Sequence, residues 1–412
     1  MAGDTPRILI SRKHPVQQSI TLKAAVRGVL AVPVILLLGA GIWSTVRLSK
    51  GDLLFRQNTV DSVSRAVEQD PKNGRYYAWL AELLEFEGRD STAALDTAAR
   101  LNPMDSRVWI RRGLNAEVAG RRAEAEKNLL HAAEIDRLME PRWTLMNFYF
   151  RQQDEAAFWQ WAHQAFLVSY GERSAMFELC WQMRQDGSLI ASKALPPDDV
   201  VLTQFLRFLM GKGQVEQAAI IAEGIAPRAG PDSAPLFEEC VRRLVERKHV
   251  ERAVGLWNAM SDRGLVKFGK LDPAAGKSLT NGTFALFPTG APFDWQYGNP
   301  NGVSALRVPD GLRLTLSGSQ NEGCELLRQW MPLVAGRQYR LQATYQPAEL
   351  SGAGGVRLRV GDRWVALQGE AVALNFTGSG MEAVVVEYRR PAGQVRAEGR
   401  LILKEISLGF AE

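Results

Sequence analysis

From Gly28 to Val46 the chain runs for 19 residues without a charge, closed by Arg27 on one side and Arg47 on the other. A hydrocarbon core about 30 Å thick takes roughly 20 apolar residues of helix to cross, so the run is long enough to span a bilayer. Trp43 lies near one edge, where an amphipathic ring prefers to sit. Pro33 is tolerated in a membrane helix, because neighbouring groups satisfy the freed carbonyl. We read 28–46 as a transmembrane helix preceded by a tail, residues 1–27.

Orientation follows from the basic residues beside the run. The tail carries Arg7, Arg12, Lys13, Lys23 and Arg27 against Asp4, while 47–66 carries Arg47, Lys50, Arg56 and Arg65 against Asp52 and Asp61. The excess is slight, and it favours a cytoplasmic tail with an exported remainder. Gly39, Ala40 and Gly41 are small enough for signal-peptide cleavage, but the apolar run exceeds the usual 7 to 15 residue signal core, so an uncleaved anchor is expected.

The remainder has an ordinary globular composition. With 412 residues, 46% hydrophobic and 23% charged, it can bury two or three cores. The net charge of +5 is spread among 45 acids with no block of like charge, which argues for a solvated surface and against a nucleic-acid partner. Cys180, Cys240 and Cys324 lack metal-ligand spacing and read as small buried apolar residues. Export would permit a Cys180 to Cys240 disulfide, which spacing alone does not decide.

Over 52–265 the pattern is helical, and its first half repeats. Ala66-Val67-Glu68-Gln69-Asp70-Pro71, Ala98-Ala99-Arg100-Leu101-Asn102-Pro103 and Ala132-Ala133-Glu134-Ile135-Asp136-Arg137 recur at offsets of 32 and 34 residues. Gly88-Arg89 and Gly120-Arg121 mark turns inside the period, and Pro71 and Pro103 stop one helix before the next begins. Trp109, Gly113, Ala125, Leu129 and Ala132 follow a large, small, small, large, small order. On these residues the chain resembles the tetratricopeptide (TPR) family, closely over 66–137 and more distantly over 138–265, where Gln153-Asp154, Gly211-Lys212-Gly213 and Lys248-His249 stand at the turns. The resemblance implies an α-solenoid of helix pairs whose first helices line a concave face. By repeat position that face would hold Arg75, Glu82, Glu85, Arg107, Glu117, Phe148 and Arg151, candidates for a groove that binds a protein partner. A merely solvated surface is the competing reading. Trp143, Trp159, Trp161 and Trp181 fall in amphipathic helix and read as core.

After Gly264 and the turn-rich Leu271–Gly276, the period changes from helical to alternating. Residues 312–316, 339–345, 356–360, 384–388 and 401–408 read as strands separated by Gly and Pro, which predicts an antiparallel, jelly-roll-like β-sandwich over 276–412. The opening Leu279-Thr280-Asn281-Gly282-Thr283-Phe284, the triplet Phe293-Asp294-Trp295 and Gln329-Trp330-Met331-Pro332-Leu333 look like a carbohydrate-binding-module-like sandwich. Such a domain ends some bacterial membrane-anchored TPR proteins associated with exopolysaccharide or O-antigen loci. The resemblance implies an inner-membrane, single-pass protein with periplasmic C-terminal domains and a possible polysaccharide ligand. Trp295 and Tyr297 would then stack on sugar rings, with Asp294, Asn299 and Asn301 bonding hydroxyls. Gln320 and Asn321 are further polar candidates; Trp330 and Trp364 have apolar neighbours and read as core, and Asp294 has the alternative of capping its turn.

The inventory does not suggest an enzyme. His14, His131, His163 and His249 form no HExxH, and there is neither a phosphate loop nor GxSxG, so we expect no metal, no cofactor and no catalytic residue. Two rivals stay open: a carbohydrate-active enzyme using Asp294 with Glu322 or Glu325, and a protein-docking module facing the cytoplasm.

Overall fold

The computed structural model describes residues 16–351 and 355–411, with side chains from residue 31 onward except 347–349. Residues 1–15 of the predicted tail, with His14, lie outside the described residues. The chain divides into two compact units, Met1–Leu145 and Met146–Glu412.

The first unit is built from helices α1 (Val16–Phe55), α2 (Val60–Gln69), α3 (Gly74–Phe86), α4 (Thr92–Leu101), α5 (Ser106–Val118) and α6 (Arg122–Ile135), and α7 (Met139–Arg151) crosses the boundary. The predicted span does not end as an element at Val46. It continues unbroken to Phe55, and Ala31–Phe55 is a helix long and apolar enough to cross a membrane. Its side chains from Val32 to Leu48 are exposed.

Polar residues start the following helices where the repeat requires. Thr59 and Ser62 form a reciprocal capping box on α2, and the Asn73 and Asp105 side chains accept backbone N–H groups at α3 and α5. The turns within pairs depend on one left-handed residue each. Gly88 and Gly120 have φ of 68° and 75°, and Asn58 has 58°, so the end of α1 turns into α2 as the later first helices turn into their partners. Close packing needs the small residues. A Cβ on Gly113 would lie 2.6 Å from the Leu129 side chain, and Ala125 and Leu129 beside it are fully buried.

The second unit continues the helix pairs and carries the sandwich. Its helices are α8 (Glu155–Val168), α9 (Ser174–Met183), α10 (Gly187–Lys193), α11 (Asp199–Gly211), α12 (Val215–Ile225), α13 (Ala234–Glu246) and α14 (Val250–Asp262). Gln153, Gly213 and Lys248 take the left-handed turn position at φ of 56°, 73° and 61°. The geometry therefore persists where the sequence pattern fades. Trp159 and Trp181 are buried, as expected of core.

Ten strands follow: β1 (Gln296–Tyr297), β2 (Val303–Val308), β3 (Gly311–Ser317), β4 (Gly323–Pro332), β5 (Gln338–Ser351), β6 (Val356–Val360), β7 (Arg363–Ala366), β8 (Ala371–Thr377), β9 (Met381–Arg389) and β10 (Glu398–Phe410). They form two antiparallel five-stranded sheets, ordered β1-β4-β9-β6-β7 and β2-β3-β10-β5-β8. Alternation buries Leu312, Leu314 and Leu316 of β3 with Leu341, Val386 and Leu358 in one core between them. The stretch joining helices to sandwich is tied down. Asn258 exchanges two hydrogen bonds with the Leu271 backbone (2.8 and 2.9 Å), and Trp257 packs edge-on against Phe293 at 5.5 Å.

Replacing Gly113 with Ala should destabilise the first unit by about 1–3 kcal/mol, the range for an overpacked site, measured by urea unfolding. Ala at Gly211, a helical position with open space around it, should not destabilise and should gain up to about 1 kcal/mol of helix propensity.

Candidate functional site

The first helices of successive pairs line a groove of about 820 Å³ in the first unit. Arg75, Glu82, Glu85 and Arg107, all expected on the concave face, are brought together there. Phe55, Trp79 and Leu114 supply the apolar part of the lining. Phe55 ends α1; its ring stacks on Tyr76 at 4.9 Å, and the Arg75 guanidinium lies over it at 5.4 Å. The Trp79 indole donates to the Asn58 side chain at 2.6 Å.

The two carboxylates on α3 do not face the groove as free charges. Arg111 pairs with Glu82 at 2.7 Å and Glu85 at 2.5 Å, and Asn115 and Ser91 donate to Glu85 at 2.9 Å each. Arg107 keeps a mostly exposed guanidinium, bonded to Asp105 at 3.3 Å, and that bond raises its pKa. The lining carries Arg56, Arg75, Arg107 and Arg111 against Glu82, Glu85, Asp105 and Glu140, so the groove has no net charge. That combination of aromatic faces and both signs of charge suits an extended peptide.

Three expected groove residues are elsewhere. Glu117 sits on α5 outside the lining, and Arg151 lies in the second unit. Phe148 is a correction: it is fully buried with Tyr149 packed against it, because the helical stripe that carries it faces the core.

The sandwich corrects the glycan candidates more sharply. Trp295 is fully buried against Phe284, with its indole donating to the Asn281 carbonyl at 3.2 Å, so neither ring face can meet a sugar. Asp294 is also fully buried. It accepts from the Thr289 N–H and hydroxyl (2.7 Å each) and from the Asn281 amide (3.1 Å), which is the turn-capping role. Gln329 closes the same knot by donating to Thr280 and to the Phe293 carbonyl at 2.6 Å. Tyr297 is half-buried, its hydroxyl held by the Val303 carbonyl at 2.8 Å. Asn299 and Asn301 are exposed on the loop before β2. Gln320 is fully buried, donating to the Ala397 carbonyl, and Asn321 is exposed.

The reverse correction applies to Trp364, which is 54% exposed at the sheet edge rather than in the core. Arg357 lies over its ring at 4.9 Å. From there a ladder of charge crosses the outer face of the β1-β4-β9-β6-β7 sheet. Glu387 binds Arg357 at 2.5 Å and Arg359 at 3.1 Å, Arg359 reaches Glu325 at 3.3 Å, and Glu325 pairs with Arg328, whose guanidinium lies over half-buried Trp330. This face went unread in the sequence, although the alternation Val356-Arg357-Leu358-Arg359-Val360 carried its signal. Glu322 pairs with Arg390 and Glu325 with Arg328 and Arg359, while Asp294 is fully buried, so none of the three is a free carboxylate facing a cleft.

Cys180 and Cys240 are unpaired and buried, and burial raises both thiols, that of Cys240 to about 12. Among the described residues no group of His, Cys, Asp or Glu is arranged to hold a metal.

No protein-family model matches the chain, and no curated protein matches it in sequence. Among solved structures, it is similar to a tetratricopeptide repeat protein from Parabacteroides merdae ATCC 43184, at 14% identity over 54% of this chain and 94% of that one (TM-score 0.31). A Naa15/Naa10 complex bound to HypK-THB is matched at 14% identity over 54% of this chain but 36% of its own (TM-score 0.28). The sandwich is similar to a CBM4 structure, at 18% identity over 32% of this chain and all of that one (TM-score 0.19). The fold described above rests on the chain's own helix pairs and sheets.

Two titrations test these assignments. Burial, followed by the 2.5 Å bond to Asp52, raises the Tyr76 hydroxyl to about 12. Ultraviolet titration should therefore show a late-ionising phenol that disappears in Tyr76→Phe. Burial raises the pKa of Glu387, but its bonds to Arg357 and Arg359 outweigh that and bring it below the ordinary value of 4.5. Its stabilisation is thus complete above that ordinary value and is lost as pH falls through the lowered one. Glu387→Gln should cost the sandwich about 3 kcal/mol near neutral pH, because two arginines lose their counter-charge, and should flatten the acid limb of its stability curve.

Proposed function

We propose that this protein is a non-enzymatic scaffold of the bacterial inner membrane, anchored by α1, with its N-terminus cytoplasmic and its helix pairs and sandwich periplasmic. The groove lined by Phe55, Arg75, Trp79 and Arg107 holds a protein partner, and the sandwich contacts glycan or a second protein. The setting is polysaccharide assembly or export at the cell envelope. The observation that carries the reading is that one helix supplies both the exposed apolar stretch and a wall of the groove, so anchoring and binding share an element. The burial of Asp294 and the pairing of Glu322 and Glu325 lend no support to the rival carbohydrate-active enzyme.

The test is a double charge reversal, Arg75→Glu with Arg107→Glu, in the native host. Surface polysaccharide should fall to the level of a strain lacking the protein, while the variant still sediments with membranes after alkaline carbonate washing. Unchanged polysaccharide would refute the envelope role, and release of the wild-type chain by carbonate would refute the anchor.

A further inference from the structure

The last two turns of α1 are built into the first helix pair. Leu54 is buried with Ala66 and Tyr76, Gly51 lies against Gln69 and Tyr76, and the Arg47 guanidinium reaches the Glu68 carbonyl at 3.5 Å. Asn58 then makes the left-handed turn that Gly88 and Gly120 make in the following pairs. The anchor helix is thus the first helix of the first repeat, with no hinge between span and array.

That continuity fixes a height. From Val46 to Phe55 is nine residues, about 14 Å of helix at roughly 1.5 Å per residue, so the Phe55 wall stands about 14 Å beyond the apolar run. The helices of the unit run alongside α1, and the turns between pairs gather at the span end. Gln69 meets Gly51, Leu101 and Asn102 meet Gly74, and Asp136 accepts from Ser106 at 2.7 Å. Arg75 lies over Phe55 at 5.4 Å and the Trp79 indole donates to Asn58 at 2.6 Å, so the end of α1, with Arg56, stands level with the start of α3.

We infer that the groove takes the extended segment directly flanking a membrane span of another integral membrane protein. An extended chain rises about 3.3 Å per residue, so four or five residues beyond a partner's span reach the level of Phe55. Exported flanks of spans lack the Lys and Arg excess of cytoplasmic ones, so such a segment brings no cationic surplus to a groove whose own charges balance. The inference rests on the anchoring proposed above.

The full chain in its native membrane, carrying a photo-cross-linking amino acid at Arg107 or Arg56, tests it by mass spectrometry of the adduct. Adducts from either position should map to one segment, within about ten residues of a span in another membrane protein. Ten Gly and Ser residues inserted after Val46 free the groove from its height and should lower the Arg107 yield at least tenfold, with unchanged circular dichroism. Adducts to a soluble protein, to lipid or to a second copy, no adduct at either position, or an unchanged yield after the insertion would each overturn the inference. Failure of the chain to sediment with membranes would instead refute the anchor alone.

Discussion

A stack of helix pairs has no closed core, since each pair buries its apolar side only against a neighbour and the first pair has none on its outer side. In the first unit the end of α1 is what closes that stack: Leu54 and Phe55 cover Ala66, Val67 and Tyr76. The Tyr76 hydroxyl bonds back to Asp52, so the closure is polar as well as apolar. The Phe55 wall of the groove is held by this join. The same helix cannot be trimmed back to Val46 without opening the first repeat.

Much of the helical part was legible because its constraint is steric. Only small residues fit where two helix backbones approach, so Gly113, Ala125 and Ala132 mark the repeat by residue size alone. Four of the seven expected groove residues line the groove for the same reason: repeat position fixes helix face. The turns at Gln153 and Lys248 were legible from their place in the repeat, whereas the left-handed turn at Asn58 stayed hidden, since a residue with a Cβ adopts that conformation far less often than glycine. The role of α1 as a repeat helix was hidden by its own apolarity, which reads as an anchor and nothing more.

The sandwich was legible as alternation but not as register. Five strands followed from their period, yet which face each aromatic occupies depends on how strands pair and on loops that fold back over the sheet. Trp295 stands in a Pro and Gly-rich stretch that suggests exposure, and the knot of Asn281, Thr289 and Asp294 pulls it inside. Trp364 adjoins Val365, but neighbours in a strand point to opposite faces, so the burial of one argues for the exposure of the other. The ladder from Arg328 to Trp364 needs β4, β9, β6 and β7 in order, which no local pattern states.

The tied connection between α14 and the sandwich has a mechanical meaning. Trp257 is wedged against Phe293, Asn258 grips Leu271, and the Ser261 hydroxyl holds the Phe268 carbonyl at 2.9 Å. A slack linker would let the sandwich swivel and would dissipate any pull upon it. Here a tug on the sheets arrives at the last helix pair as torque, and the second unit behaves as a lever rather than as a bead on a string.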